Sequence, residues 1–209
     1  MLRSAAAEPD PLATIGALCI RGYTMMNVSE AITKRKSVRA YLDKPVLAED
    51  LAKIVEAGQW APNAGAFQIS VIRNAGLRQR INDLTHSAMA NSGVEFLQQR
   101  VSLPGYQPLY GAPVLLLLSG PTESPYSAVN TSLAAENMIL EATELGLGSC
   151  YIVSPTLALN AGNDRALAQE AGIPDSYQLQ CAVIIGYAAA ENKFTVGERT
   201  PKGSVNYVD

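Results

Sequence analysis

Three cations and a hydroxyl fall within five residues at Arg35-Lys36-Ser37-Val38-Arg39. A guanidinium pairs bidentately with phosphate, an ammonium adds a point charge and a serine donates a further hydrogen bond, so this segment has the chemistry of a phosphate clamp. The same composition suits a solvated basic helix end, because cations are favourable beside a helix C-terminus. A second group, Ala61-Pro62-Asn63-Ala64-Gly65-Ala66-Phe67-Gln68, uses small residues that let the backbone approach a flat ligand. Asn63 and Gln68 carry amide donors and acceptors suited to the edge of a heterocycle. An ordinary helix-to-strand turn would use the same proline and glycine. Neither group decides the matter by itself.

The remaining chemistry is sparse. His86 is the only histidine, so a histidine-based triad has one candidate and a multi-histidine metal site has none. It sits among Asn82, Asp83 and Thr85 and reads as a surface histidine of a polar helix. Cys19, Cys150 and Cys181 are widely spaced, odd in number and free of any C-x-x-C pattern, which argues against a disulfide framework or zinc site and for a reducing, cytoplasmic compartment. Cys150 reads as a small buried thiol and Trp60 as packing at the end of a helix. No side chain stands out as a catalytic acid, base or nucleophile, and no metal site is expected.

The elements that must position these residues belong to one domain. The chain has 209 residues, 48% hydrophobic and 17% charged, enough for one sizeable core. A net charge of -3 gives no cationic field that would hold nucleic acid or an anionic membrane. Residues 1–25 carry acids and prolines ahead of an apolar run, Leu12 to Ile20, that is too short to span a bilayer and wrongly flanked for a secretory signal. They read as an extension preceding a domain at 26–209. Asn27, with Glu30 three residues on, predicts a capped helix leading into the basic segment. Tyr41 to Pro45 reads as a loop and Ala48 to Gln59 as a second helix with Leu51, Ile54, Val55 and Gly58 on one face. Phe67 to Arg73 predicts a strand, and Leu77 to Gln99 one long helix. A loop rich in proline, glycine and tyrosine follows, Leu103 to Gly111. Val114 to Ser119 is an aliphatic run suited to a strand buried on both faces. Tyr126 to Leu145 predicts a core helix ended by Gly146 and Gly148. A strand at Ser149 to Val153, a helix at Asp164 to Ala171 and a strand at Gln178 to Tyr187 complete the order, before a tail of little periodicity. Without strict β-α-β alternation, an α+β layered sandwich is favoured.

The two chemical groups, in this order and spacing, resemble the nitroreductase family, whose pattern opens with R-x-S-x-R and continues about one helix later with A-P-S-A-x-N-x-Q. Tyr41 to Leu51, the run Asn137 to Tyr151 and Gly172-Ile173-Pro174 with Ala182 to Tyr187 agree as well. The resemblance implies an α+β layered sandwich: a mixed, mostly antiparallel central sheet flanked by helices, with an extended C-terminal arm. It also implies a homodimer with FMN at the interface. Arg35, Lys36, Ser37 and Arg39 would then hold the phosphate and ribityl chain, helped from the arm by Arg199 or, second, Lys202. Pro62, Asn63, Ala64, Gly65 and Gln68 would border the flavin ring, with the backbone of Gly148, Ser149 and Cys150 on its other side. The implied reaction is a ping-pong transfer of hydride from NAD(P)H, a transient donor, through flavin N5 to an electron-poor acceptor such as a nitroaromatic or quinone. Flavin fragmentation, dehalogenation, azoline oxidation and flavin binding without turnover are alternatives on the same scaffold. Two departures stand out: Ala66 replaces the family's asparagine and Asn63 its serine.

Overall fold

The computed structural model describes residues 26–161, 165–189, 194 and 199–208, so the predicted extension over 1–25 lies outside the described residues. Helix α1, Val28–Lys34, begins at the predicted cap: the Asn27 side chain accepts from the Glu30 amide at 3.0 Å and Glu30 Oε2 accepts from the Asn27 amide at 2.9 Å. Helix α2 is Ala48–Gln59, and β1, Gln68–Ile72, follows the Pro-Gly loop. The long helix expected from Leu77 to Gln99 is instead two, α3 at Ala75–Ala90 and α4 at Glu95–Val101. They part at Gly93, whose φ of +71° lies in the left-handed region that ends helices. Strand β2 is Val114–Pro121, α5 is Ser127–Glu144 and β3 is Gly148–Ile152. A one-turn helix at Thr156–Leu159, α6, was not legible from periodicity because four residues are too few to show one. Helix α7, Ala166–Glu170, and β4, Tyr177–Gly186, complete the order; Asp164, the expected first residue of that helix, lies outside the described residues.

The strands form one antiparallel sheet in the order β1-β2-β4-β3. Strand β2 is central, and successive side chains feed opposite layers. Leu116 and Leu118, with Val183 and Ile185 of β4, pack against Leu51 and Ile54 of α2 and Ala135 and Met138 of α5. Leu115 and Leu117, with Ala182 and Ile184, pack against Leu77 and Ile81 of α3 and Ala168 of α7. An unbroken aliphatic strand is what two covered faces require, and this is the helix-sheet-helix sandwich expected. Helix α5 ends at Gly146 (φ +71°): the Leu147 amide donates to Ala142 O at 2.8 Å and the Gly146 amide to Thr143 O at 3.1 Å, closing the last turn and starting β3.

Two side-chain expectations are corrected. Trp60 does not pack at the end of α2 but is 79% exposed. The polar stretch of α3 is not a solvated face: Asn82 and Thr85 are buried, and Asn82 Oδ1 accepts from the Leu109 amide at 3.1 Å, pinning the tyrosine loop 103–111 to α3. His86, beside them, is half-buried.

Candidate functional site

The basic segment is a short extended piece laid along the free edge of β3. Arg35, the C-cap of α1, has φ -53° and ψ 129°, which turns the chain from helix into extended backbone. The Val38 amide then donates to Ser149 O at 2.8 Å, and Ser37 pairs with Ser149 in a parallel bridge. Val38 is buried over Gly148, where a Cβ would lie 2.9 Å from both of its γ-methyls. Glycine at 148 therefore creates the seat on which the segment rests. Tyr41 Oη locks it from the other end by donating to Val38 O at 2.8 Å, in surroundings that push its phenol well above the ordinary value, chiefly by burial.

A pocket of about 600 Å³ lies against this segment, with Arg35, Lys36 and Ser37 on one wall and Arg199 and Lys202 of the C-terminal arm on the other. Four cations line it, and no carboxylate does among the described lining residues. Arg199 Nη1 donates to Ile32 O at 3.1 Å and also to Arg35 O, so it caps the last turn of α1 and fastens the arm there. A guanidinium has five N–H donors, and capping leaves some for a ligand. Arg35 Nε is buried without a hydrogen-bond partner, and its nearest counter-charge, Glu136 Oε1, stands 3.9 Å away, an ion pair but not a hydrogen bond. An orphaned buried donor on one of four clustered cations fits an anionic group such as a phosphate.

Arg39 is not part of this pocket. It lies four residue steps along extended chain from Arg35, a run of about 13 Å, and its Nη1 donates at 3.2 Å to Phe194 O. It lines a second cavity beyond β3, with Cys150 and the tyrosine loop. Gly148, Ser149 and Cys150 are all buried, and the Ser149 carbonyl is already taken by Val38. Burial pushes the Cys150 thiol up, so it is a buried neutral thiol, as the sequence suggests.

The Pro62–Gly65 loop sits elsewhere. Pro62, Asn63, Ala64, Gly65 and Ala66 are all exposed, and Gly65 has φ +108°. The loop is tied down by Asn130 in the first turn of α5, whose Oδ1 accepts from the Ala64 amide at 2.9 Å. Asn130 is buried and its Nδ2 has no partner. Asn63 makes a long local contact to Ala61 O at 3.4 Å, while Gln68 Nε2 donates to Gly172 O and to Ser70 Oγ at 3.1 Å. Among the described residues no hydrogen bond joins this loop to the basic segment. Within the single chain the expected site is in two parts, one anchored to the start of α5 and one to β3. Sequence reading missed Asn130, one of several polar residues of α5, whose partner Ala64 is 66 residues earlier in the chain.

The model of the nitroreductase family matches residues 32–187, from the end of α1 to the end of β4. The chain belongs to that family. A nitroreductase-family crystal structure with bound FMN, from Bacteroides fragilis, superimposes with a TM-score of 0.78 at 31% identity, covering 88% of this chain and 100% of that one. An Archaeoglobus fulgidus protein named NADH dehydrogenase/NAD(P)H nitroreductase is 27% identical over 172 residues, 78% of this chain and 86% of its own. The Bacillus subtilis FMN reductase (NADPH) is 28% identical over 135 residues, 61% of this chain and 54% of its own. As in the motif comparison, this member of the nitroreductase family keeps R-x-S-x-R and the A-P loop and places alanine at 66.

Proposed function

We propose that the chain is an FMN-dependent oxidoreductase acting as a homodimer, with the cofactor's phosphate in the 600 Å³ cationic pocket. The observation that carries this is the lining of four cations without a carboxylate, beside the orphaned Arg35 Nε, in a chain of this family. Arg35, Lys36 and Arg199 would neutralise the phosphate, Lys202 would assist, and Ser37 would donate to a phosphate or ribityl oxygen. FMN supplies the redox chemistry when bound, with NAD(P)H as transient donor and an electron-poor nitroaromatic or quinone as acceptor. The protein's part is to orient the ring and exclude water. Pro62 to Gly65 and Gln68 would border the ring, and no side-chain acid or base is needed for that.

The division of the site supports assembly from two protomers, since the exposed Pro62–Gly65 loop of one copy then has a role at the pocket of the other. Apolar side chains agree with this: Val28 and Ile32 on α1 are 71% and 47% exposed, and Val129 and Leu133 on the adjoining α5 are 54% and 41%. Surfaces of this kind mark interfaces. No helix among the described residues is long and apolar enough to cross a membrane, and the cysteine usage fits the cytoplasm.

The test is titration of the chain with FMN, followed by anaerobic addition of NADH and NADPH. Flavin uptake and bleaching by at least one nicotinamide are expected, with return of colour on adding a quinone. Arg35→Ala should weaken FMN binding by roughly 1.5–3 kcal/mol, about a 10- to 150-fold rise in Kd. No flavin uptake, or an unchanged Kd in the variant, would reject the assignment.

A further inference from the structure

Arg35 and Glu136 end two adjoining stripes of side chains. On α1 the stripe runs Val28, Ile32 and, at the C-cap, Arg35; on α5 it runs Val129, Leu133 and Glu136, with the same helical spacing. The four apolar members are exposed, and each stripe closes on a charge, positive on α1 and negative on α5. The two charges meet loosely. Glu136 Oε1 stands 3.9 Å from Arg35 Nε, and that Nε is buried without a hydrogen-bond partner. A guanidinium has five N–H donors in a planar fork, so a carboxylate standing off Nε leaves the fork open to a better acceptor. The side chains of Arg35 and Glu136 are 22% and 53% exposed, and a pair so open to water adds little stability as a contact. Its charge still matters to a pocket that gathers four cations, because Glu136 offsets the repulsion among them. A phosphate dianion entering that pocket meets the opposite effect: Glu136 repels it and already neutralises part of Arg35.

We propose that Glu136 is a built-in competitor for Arg35: it serves as the counter-charge in the flavin-free chain and opposes the phosphate in the bound one, so that it sets how readily the cofactor exchanges. It acts through Arg35, not by contact with the phosphate. Three roles for this carboxylate differ in the sign of their effects. Removing a competitor lowers the stability of the flavin-free chain and tightens FMN. Removing a purely structural partner lowers stability and leaves FMN affinity as it was. Removing a group that aims Arg35 at the phosphate weakens FMN. The geometry favours the first, because a 3.9 Å contact without a hydrogen bond fixes no direction, whereas a charge at that distance acts whatever its orientation. The inference rests on the proposed seat of the FMN phosphate beside Arg35, and its test therefore reads inorganic phosphate as well as flavin.

Glu136→Gln keeps the size of the side chain and removes its charge. Fluorescence titration of the full chain with FMN at low ionic strength should show Kd lowered about threefold or more, and the gain should shrink as salt is added, because the pair is half exposed. Riboflavin, which carries the ring and ribityl chain without the phosphate, should bind parent and variant alike. In the Arg35→Ala background the same substitution should change FMN affinity by less than about twofold. The flavin-free Glu136→Gln protein should unfold at a lower urea concentration than the parent. An unchanged or raised Kd for FMN overturns the proposal, as does a gain that riboflavin shares or one that survives undiminished in Arg35→Ala. Should Glu136→Gln fail to fold, Glu136→Ser is read in the same way. Thermal midpoints with inorganic phosphate added separate the two claims, since phosphate should raise the midpoint further in Glu136→Gln than in the parent. FMN bound equally by the parent and Glu136→Gln refutes only the competitor, whereas the larger phosphate effect in a chain that takes up no flavin refutes only the oxidoreductase reading.

Discussion

Replacing Gly148 by alanine tests whether the basic segment keeps its place because β3 offers it a bare backbone. The added Cβ would fall 2.9 Å from both γ-methyls of Val38 and 3.0 Å from its Cβ. Val38 is 6% exposed and its amide is hydrogen bonded to Ser149 O at 2.8 Å, so it cannot swing away without breaking the bond that seats the segment. Overpacking of this kind costs roughly 1–3 kcal/mol, and Gly148→Ala should lose that much stability. Because Arg35, Lys36 and Ser37 are continuous with Val38, FMN affinity should fall with it. Val38→Ala removes two buried methyls, about 1.6 kcal/mol at ~0.8 kcal/mol each. In the double variant the γ-methyl clash is gone and only the 3.0 Å Cβ contact remains. The double should therefore be more stable than the sum of the singles by on the order of 1 kcal/mol. Urea unfolding of the four proteins, with FMN titration of each, measures both quantities. Strictly additive losses, or a Gly148→Ala protein as stable as the parent, would show that the segment is held by something other than this contact.

Two further outcomes follow from the same geometry. Asn130→Ala removes the acceptor of the Ala64 amide, which should cost at most about 1.5 kcal/mol overall, because the loop is exposed, while amide exchange at Ala64 rises sharply. Unchanged exchange there would show that the loop does not depend on α5. For Tyr106, burial raises the phenol from an ordinary value of 10.0 to about 12, so the unfolded chain releases this proton first. The stability associated with the neutral phenol is fully present below pH 10 and is lost as pH rises towards 12. Denaturant midpoints taken across that range should fall less steeply in Tyr106→Phe than in the parent, and parallel slopes would contradict the assignment.

What was legible in the sequence was what is local. The Asn27–Glu30 capping box, the boundaries of α2, the two-faced burial of β2 and the glycine turn after α5 all follow from a few neighbouring residues whose preferences the fold does not override. The break between α3 and α4 was missed because one glycine in a helical pattern is usually tolerated, and only its positive φ identifies it as a stop. Asn82 and Thr85 were misjudged for a different reason. A polar residue on a helix reads as solvated until a loop more than 20 residues away supplies its partner, as Leu109 does for Asn82. Asn130 was invisible on the same ground, since its partner Ala64 lies 66 residues earlier. Trp60 is expected from sequence to pack at the end of α2, yet it stands 79% exposed there.

The two arginines of the motif illustrate how spacing in sequence differs from placement in space. Read as five consecutive residues, Arg35 to Arg39 form one cluster of charge, and the family resemblance gives Arg35, Lys36, Ser37 and Arg39 together to the phosphate and ribityl chain of FMN. Extended backbone spreads that cluster over about 13 Å, and the bridge to Ser149 fixes it along β3, so the ends of the motif face different cavities. Arg35, Lys36 and Ser37 meet Arg199 and Lys202, while Arg39 meets Cys150, Tyr110 and, through the arm's Phe194 carbonyl, the ring cluster. The arm thereby touches both cavities, at Arg199 on one side and at Phe194 on the other.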